Sequence, residues 1–245
     1  LVVGYCCPGT VDAEFLGSMC DYLLWDANRQ HLTTGPAGGI IGIQSSPRIA
    51  EARSRIVDSF LTSDDFLDER GFRADWLLMV DADMRFTGED VYALLASADP
   101  IDRPVVGGLC FAGGHTGILY PTLYTLKRDS NGNVTTGLAE NYTPGEMHKV
   151  GGTGAAFLLI HRSVLVKMAK VYARLPDGRV NPFPWFVEGH IDAAGNALGE
   201  DISFCLRLQA CGYPLYVDTN VRIGHMKRID INEKVYNERN RRPVH

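Results

Sequence analysis

Trp76-Leu77-Leu78-Met79-Val80-Asp81-Ala82-Asp83 is the stretch on which the fold turns. Five apolar residues in a row, bounded by charge on both sides, suit a strand buried on both faces of a sheet. Such a strand needs a layer of helices above it and another below. Two carboxylates, one residue apart, close the run. Ligands of open α/β sheets bind at the carboxyl ends of strands. Two carboxylates in that place cannot both be buried without a counter-charge. Oxygen ligands of this kind suit Mg2+ or Mn2+, which would then grip the phosphates of a substrate. The plain alternative is a turn in which aspartate accepts local hydrogen bonds.

Working outward, segments of strand and helix character alternate. Leu1 to Tyr5 reads as a strand, Asp12 to Trp25 as a helix, Ile40 to Ile43 as a strand and Pro47 to Leu61 as a helix. Pro47 suits a first helical turn. Thr87-Gly88-Glu89-Asp90 resembles a capping box and predicts a helix through Ala96. Val105 and Val106 begin another strand. Downstream, Leu119 to Arg128 alternates loosely and runs into Asn131-Gly132, a hairpin signal. Ala155 to Ile160 predicts a buried strand and Ser163 to Ala173 a helix. Ile202 to Cys211 predicts a helix stopped by Gly212, with short strands at Leu215 to Val217 and Val221 to Ile223. The whole predicts one α/β domain, three layers deep, with a mostly parallel (mixed) central sheet.

The chain has 245 residues, 45% apolar and 22% charged, with a net charge of -5. That suits one large domain with a proper core. A weakly acidic chain is a poor match for long nucleic acid, which asks for a basic footprint. Lys227, Arg228, Arg239, Arg241 and Arg242 form a basic end, as a solvated tail does. No apolar run approaches the roughly 20 residues that span a bilayer. The opening residues read as a strand, not a signal peptide. Of the six cysteines none forms a CxxC pair, so neither a zinc site nor a redox motif is expected, and a cytoplasmic setting is. Asn133-Val134-Thr135 and Asn141-Tyr142-Thr143 match the glycosylation sequon, a pattern frequent by chance.

The strand ending in Asp81-Ala82-Asp83 resembles the signature of glycosyltransferases of the GT-A fold, particularly those like family 2. In that family the aspartates hold a metal, Mn2+ or Mg2+, that grips the diphosphate of a nucleotide sugar. The resemblance makes Asp83 the stronger metal ligand. Asp81 would contact the donor ribose or sugar, or the metal through water. Ile49-Ala50-Glu51-Ala52-Arg53-Ser54 is similar to the family's Ala-Arg-Asn helix and implies Arg53 as a donor contact, with Ser54 in place of the usual Asn. The bland reading of that segment is a surface helix with a Glu51–Arg55 pair. Val150-Gly151-Gly152-Thr153-Gly154 resembles the loop after the metal site and implies Gly152 and Thr153 as donor-binding, since glycines let backbone N–H groups approach a ligand.

Gly199-Glu200-Asp201 resembles the Glu-Asp motif of inverting members. By that likeness Asp201 is the base that takes the acceptor's proton, and Glu200 orients the acceptor or sugar. Acidic residues also gather in first helical turns because of the helix dipole, which would lower a carboxylate's pKa. Val221-Arg222-Ile223-Gly224-His225-Met226-Lys227-Arg228 resembles the late strand that brings a further metal ligand, His225. Lys227 and Arg228 would neutralise the departing diphosphate. Trp185 and Phe186 stand just before the Glu-Asp motif, where aromatic faces pack on sugar rings or simply fill a core.

The resemblance covers Leu1 to about Arg228. It implies transfer of a sugar, from a UDP-sugar first of all, to an acceptor hydroxyl on a glycan, protein, lipid or modified nucleobase. Residues 1–110 would form the nucleotide and metal part, 111–228 the acceptor and catalytic part, and 229–245 a basic tail. A sugar nucleotidyltransferase is the enzyme rival. It wants a Gly-rich, Arg-containing loop after the first strand, where this chain has Tyr5-Cys6-Cys7-Pro8-Gly9-Thr10. A non-catalytic nucleotide-sugar-binding module is the other. Haloacid-dehalogenase phosphatases also use Asp-x-Asp. They place it near the N-terminus with Thr or Val two residues on, where this chain has Arg85.

Overall fold

The fold, seen in a computed structural model, is described for residues 1–32, 38–45, 48–68, 70–113, 119–130, 133–139 and 141–227. The chain begins with β1 (Val2–Cys7), α1 (Ala13–Asp26), β2 (Ile40–Gln44) and α2 (Ile49–Thr62). Then come β3 (Trp76–Asp81), β4 (Met84–Arg85), α3 (Gly88–Ser97) and β5 (Val105–Leu109). Short strands follow: β6 (Phe111–Gly113), β7 (Leu119–Pro121), β8 (Leu123–Arg128), β9 (Val134–Leu138), β10 (Met147–Val150) and β11 (Gly152–Thr153). The chain continues through β12 (Phe157–His161), α4 (Arg162–Val171), α5 (Glu200–Ala210), β13 (Leu215–Arg222) and β14 (Gly224–His225).

Seven strands form the central sheet in the order β10-β13-β5-β12-β3-β1-β2. Five run parallel, while β10 and β12 run the other way. The sheet is therefore mixed and mostly parallel, with helices on both faces, as the sequence predicts. β3 lies within it, between β1 and β12. Its side chains alternate between two cores, as strand geometry requires. Leu77 and Met79 join α2, α4 and α5 on one face, through Ile56, Leu165 and Phe204 among others. Leu78 and Val80 join α1 and α3 on the other, through Phe15, Met19 and Leu94. All four side chains are at most 2% exposed. Burying each contributes about 1.5–3 kcal/mol. β1 must carry a glycine for α2 to approach it: a Cβ on Gly4 would lie 2.3 Å from Ile56 Cγ2.

Local signals agree with the elements. Thr87 and Asp90 form a reciprocal capping box at the start of α3. Gly212, at φ 85, follows α5. α2 opens at Ile49, and Pro47 lies outside the described residues. So does Asn131-Gly132, although β8 and β9 pair antiparallel from Arg128↔Val134 onward. Some elements differ from expectation: Leu119 to Arg128 is split into β7 and β8, and β10 is not among the expected strands. The two short strands predicted over 215–223 are a single strand, β13, whose register shifts between Asp218 and Arg222. The polar run Asp218-Thr219-Asn220 reads as a turn, but Thr219 is fully buried and its hydroxyl donates to Glu146 O at 2.8 Å. No helix among the described residues is long and apolar enough to cross a membrane.

The topology places a switch point between β1 and β3. β2 lies on one side of β1 and β3 on the other. The crevice beyond their carboxyl ends is the switch point at which α/β sheets bind ligands. Cys6 of β1 and Asp81 of β3 are register partners at its floor.

Candidate active site

A turn at Ala82 and Asp83 joins β3 to β4. On an uninterrupted strand, Asp81 and Asp83 would share a face. The turn breaks that alternation, and each carboxylate takes its own cationic partners.

Asp81 belongs to an inner cluster. Its Oδ1 accepts from Arg53 Nη2 at 2.6 Å. Arg53 sits on α2, its side chain only 4% exposed. Its other terminal nitrogen, Nη1, donates to Glu200 Oε1 in the first turn of α5. The Phe186 ring lies 6.0 Å from the guanidinium carbon. Burial alone would push the arginine's pKa down, but Asp81 and Glu200 overcome it and hold the group more firmly charged than usual. Beside Glu200 is Asp201, whose Oδ1 accepts from Ile202 N at 2.7 Å. Burial raises the pKa of both carboxyls, opposed chiefly by the charge of Arg53. A carboxylate with a raised pKa is a better proton acceptor, as a general base requires.

Asp83 belongs to an outer cluster. β14 pairs with β4, His225 opposite Met84, and Met226 N donates to Asp83 O at 2.8 Å. Asp83 Oδ2 lies 3.0 Å from His225 Nε2 and 2.8 Å from Lys227 Nζ. Burial resists ionisation of Asp83, but the hydrogen bonds from His225 and Lys227 outweigh it and bring its pKa to about 2. His225 Nδ1 lies 2.8 Å from Phe111 O. A backbone carbonyl only accepts, so Nδ1 carries a proton. Nε2 then holds a second proton, or it offers a lone pair to a cation shared with Asp83. The imidazole pKa is raised, first by the hydrogen bond to Asp83.

That donor set fits a divalent cation supported by diphosphate. An imidazole and a carboxylate sit side by side, and the imidazole is oriented by a backbone carbonyl behind it. Among the described residues no group of three His, Cys, Asp or Glu side chains converges on one point. Asp83 and His225 would be the protein ligands. Asp81, expected as a third, is held by Arg53 instead.

Other expected site residues take structural places. Gly152 and Thr153 are buried and pair with Tyr124 and Leu123 of β8. A Cβ on Gly151 would lie 2.3 Å from Leu126 N. The small size of Gly151 thus admits the neighbouring strand β8. Trp185 and Phe186 are 4% and 0% exposed. The indole Nε1 donates to Leu165 O at 2.9 Å, and Phe186 stacks on Phe204 at 4.7 Å. Neither aromatic faces an acceptor, because the proline-rich run that carries them folds into the core. Arg228 lies outside the described residues. The free cysteines Cys6, Cys110 and Cys205 are buried, as expected of small hydrophobes. Burial pushes the thiol of Cys6 up to about 11 and that of Cys110 up to about 12.

Sequence reading passed over one group. A Cβ on Gly154 would lie 3.7 Å from Asp201 Oδ2 and 4.0 Å from Thr122 Cβ. Tyr124 feels the charge of Asp201 and is hydrogen-bonded to Tyr120, and burial raises its phenol pKa. Both tyrosines are partly exposed. The spacing of Tyr120, Thr122 and Tyr124, two residues apart, was the available signal.

No family model matches the chain, and no curated protein matches it. Among solved structures, A197 from STIV is similar with a TM-score of 0.47 and 16% identity, over 95% of this chain and 98% of that one. GalNAc-T7, solved with UDP, GalNAc and Mn2+, is similar with a TM-score of 0.47 and 14% identity, over 94% of this chain and 38% of that one. At such scores and identities these likenesses decide nothing about what the chain does.

Proposed function

We propose that the chain is a metal-dependent glycosyltransferase that moves a sugar from a nucleotide-sugar donor to an acceptor hydroxyl. One observation carries this reading. At the switch point of the sheet, the carboxylate ending β3 faces the carboxylates opening α5 across a single buried guanidinium. Donor-side and acceptor-side machinery would thus meet in one crevice.

The donor's diphosphate would lie by the outer cluster, where Asp83 and His225 would hold Mn2+ or Mg2+. Bound there, such a cation would supply charge neutralisation for the departing nucleoside diphosphate. Lys227 would swing from Asp83 to the same phosphates, with Arg228 beside it. Asp81 would orient the donor ribose or sugar. Asp201 takes the proton from the acceptor hydroxyl as its oxygen forms a bond to the anomeric carbon. The bond from that carbon to the diphosphate breaks with its electron pair. A single displacement of this kind inverts the anomeric configuration. Tyr120 and Tyr124 would wall the acceptor beside Asp201 and bind it through ring faces and hydroxyls.

The test is calorimetric titration of a panel of nucleotide sugars, UDP-sugars first, with Mn2+ and then with chelator, on wild type and Asp83→Ala. The expected result is donor binding that needs both the metal and Asp83. Binding indifferent to both, or no binding by any nucleotide sugar, would remove the reading. An acceptor product of retained configuration would take the role of base from Asp201.

A further inference from the structure

Arg53 invites comparison with a donor contact, since it lies under the crevice and carries the charge a diphosphate seeks. Its geometry argues otherwise. The side chain is 4% exposed, and both terminal nitrogens are already engaged. Its partners lie 28 and 147 residues away along the chain. They stand on β3 and α5, so one guanidinium joins three elements. Phe186, itself fully buried, flanks it. Arg53 Nε finds no hydrogen-bond partner among the described residues. A group placed like this cannot reach a ligand without abandoning two carboxylates that would then be left without their counter-charge.

We propose that Arg53 is an internal counter-ion and positioning residue, which ties the donor-side carboxylate Asp81 to the helix that presents Glu200 and Asp201, and that it makes no contact with the donor. Only a planar, forked cation can do this. Its two nitrogens meet two separate carboxylates at fixed angles, whereas a lysine offers one point charge on a flexible stem. The consequence is geometric. The distance from donor to base is set by α2, an element that carries no atom of the reaction. That consequence for catalysis rests on the transferase reading. The bridge itself does not.

The experiment therefore has an arm that needs no activity. Thermal melts are compared for wild type, Arg53→Met, Glu200→Gln and the double variant. If Arg53 bridges, the single Arg53→Met melts well below wild type. Adding Glu200→Gln then raises the melting temperature again, because it removes a charge left without its partner. A double variant that melts no higher than Arg53→Met overturns the bridge. Should Arg53→Met not fold, Arg53→Lys with and without Glu200→Gln makes the same comparison.

The second arm separates binding from turnover in Arg53→Lys. A positioning role leaves the donor's Kd within about threefold of wild type while kcat falls by about tenfold or more. A donor contact shows the reverse, a Kd raised by about tenfold with kcat kept at saturating donor, and would overturn the proposal. If wild type binds no nucleotide sugar at all, the transferase reading fails, and the melts still decide the bridge.

Discussion

The two charge clusters contain similar chemistry in opposite settings. The inner one, Arg53 with Asp81 and Glu200, has side chains 4%, 25% and 14% exposed. The outer one, Asp83 with His225 and Lys227, has side chains 37%, 18% and 59% exposed. Buried ions held by a forked cation are costly to separate. Half-exposed ions held by a flexible lysine exchange partners readily, since water compensates each of them. The inner cluster is thus suited to fixing distances. The outer one is suited to trading its internal cation for a ligand's. Position on the turn after β3 decides which aspartate does which.

The largest expected effect tests whether the carboxylates beside the inner cluster do chemistry. Asp201→Asn should lower turnover by roughly 10²–10⁴-fold, the usual worth of a general base, with donor titration unchanged. Loss of donor binding along with turnover would place Asp201 on the wrong side of the comparison. Next comes the contrast in stability. Arg53→Met should cost roughly 3–5 kcal/mol in denaturant melts, as does removal of one partner from a buried pair. Lys227→Met should cost at most about 1 kcal/mol, as exposed pairs do. Equal costs would erase the distinction between the clusters.

The pH profile sharpens the same contrast. The base must be ionised to accept a proton, and burial raises the pKa of Asp201, against the opposing charge of Arg53. Activity should therefore rise with pH through a midpoint above the ordinary aspartate range. Single-turnover rates across pH would show it. A limb at or below that range would mean that the carboxylate doing the work is not Asp201. The smallest effect concerns salt. Raising ionic strength from 0.05 to 0.5 M, bracketing Debye lengths of roughly 14 and 4 Å, should leave the stability cost of Arg53→Met nearly intact and abolish that of Lys227→Met.

Much of the fold was legible because β3 is unambiguous. A five-residue apolar run needs cover on both faces, and the helices that provide it announce themselves by spacing and caps, as at Thr87 and Asp90. The weak points were local. Asp218-Thr219-Asn220 carries the composition of a turn, and only its pairing with the β10 region shows it to be strand. Met147–Val150 gives no alternation of its own and becomes a strand only because β13 is there to receive it.

The candidate site was legible as residues but not as partnerships. Arg53, Asp81 and Glu200 each stood out, yet nothing in a sequence says that residue 53 meets residue 200. Glu51 and Arg55, four apart on α2, could be paired in advance and are, at 2.6 Å. Trp185 and Phe186 misled for a physical reason. An aromatic beside catalytic motifs has the same composition whether it faces a sugar or a core, and burial separates the two. The small residues at Gly151 and Gly152 were ambiguous in the same way, since close approach by a strand and by a ligand ask for the same missing Cβ.

The place of β12 has a consequence for how the chain is made. It runs antiparallel between β3 and β5 and hydrogen-bonds to both. β3 ends at Asp81 and β5 at Leu109, but the strand that joins them begins at Phe157. During synthesis the first hundred or so residues must wait with one bare edge on β3 and both edges of β5 bare, since β13 also comes later, and such edges invite pairing with other chains. Contacts this distant in sequence also slow the closing of a sheet. A fragment ending near residue 110 would inherit that state permanently and should aggregate rather than fold. The sheet is therefore completed late, when β12 and then β13 reach the edges of β5.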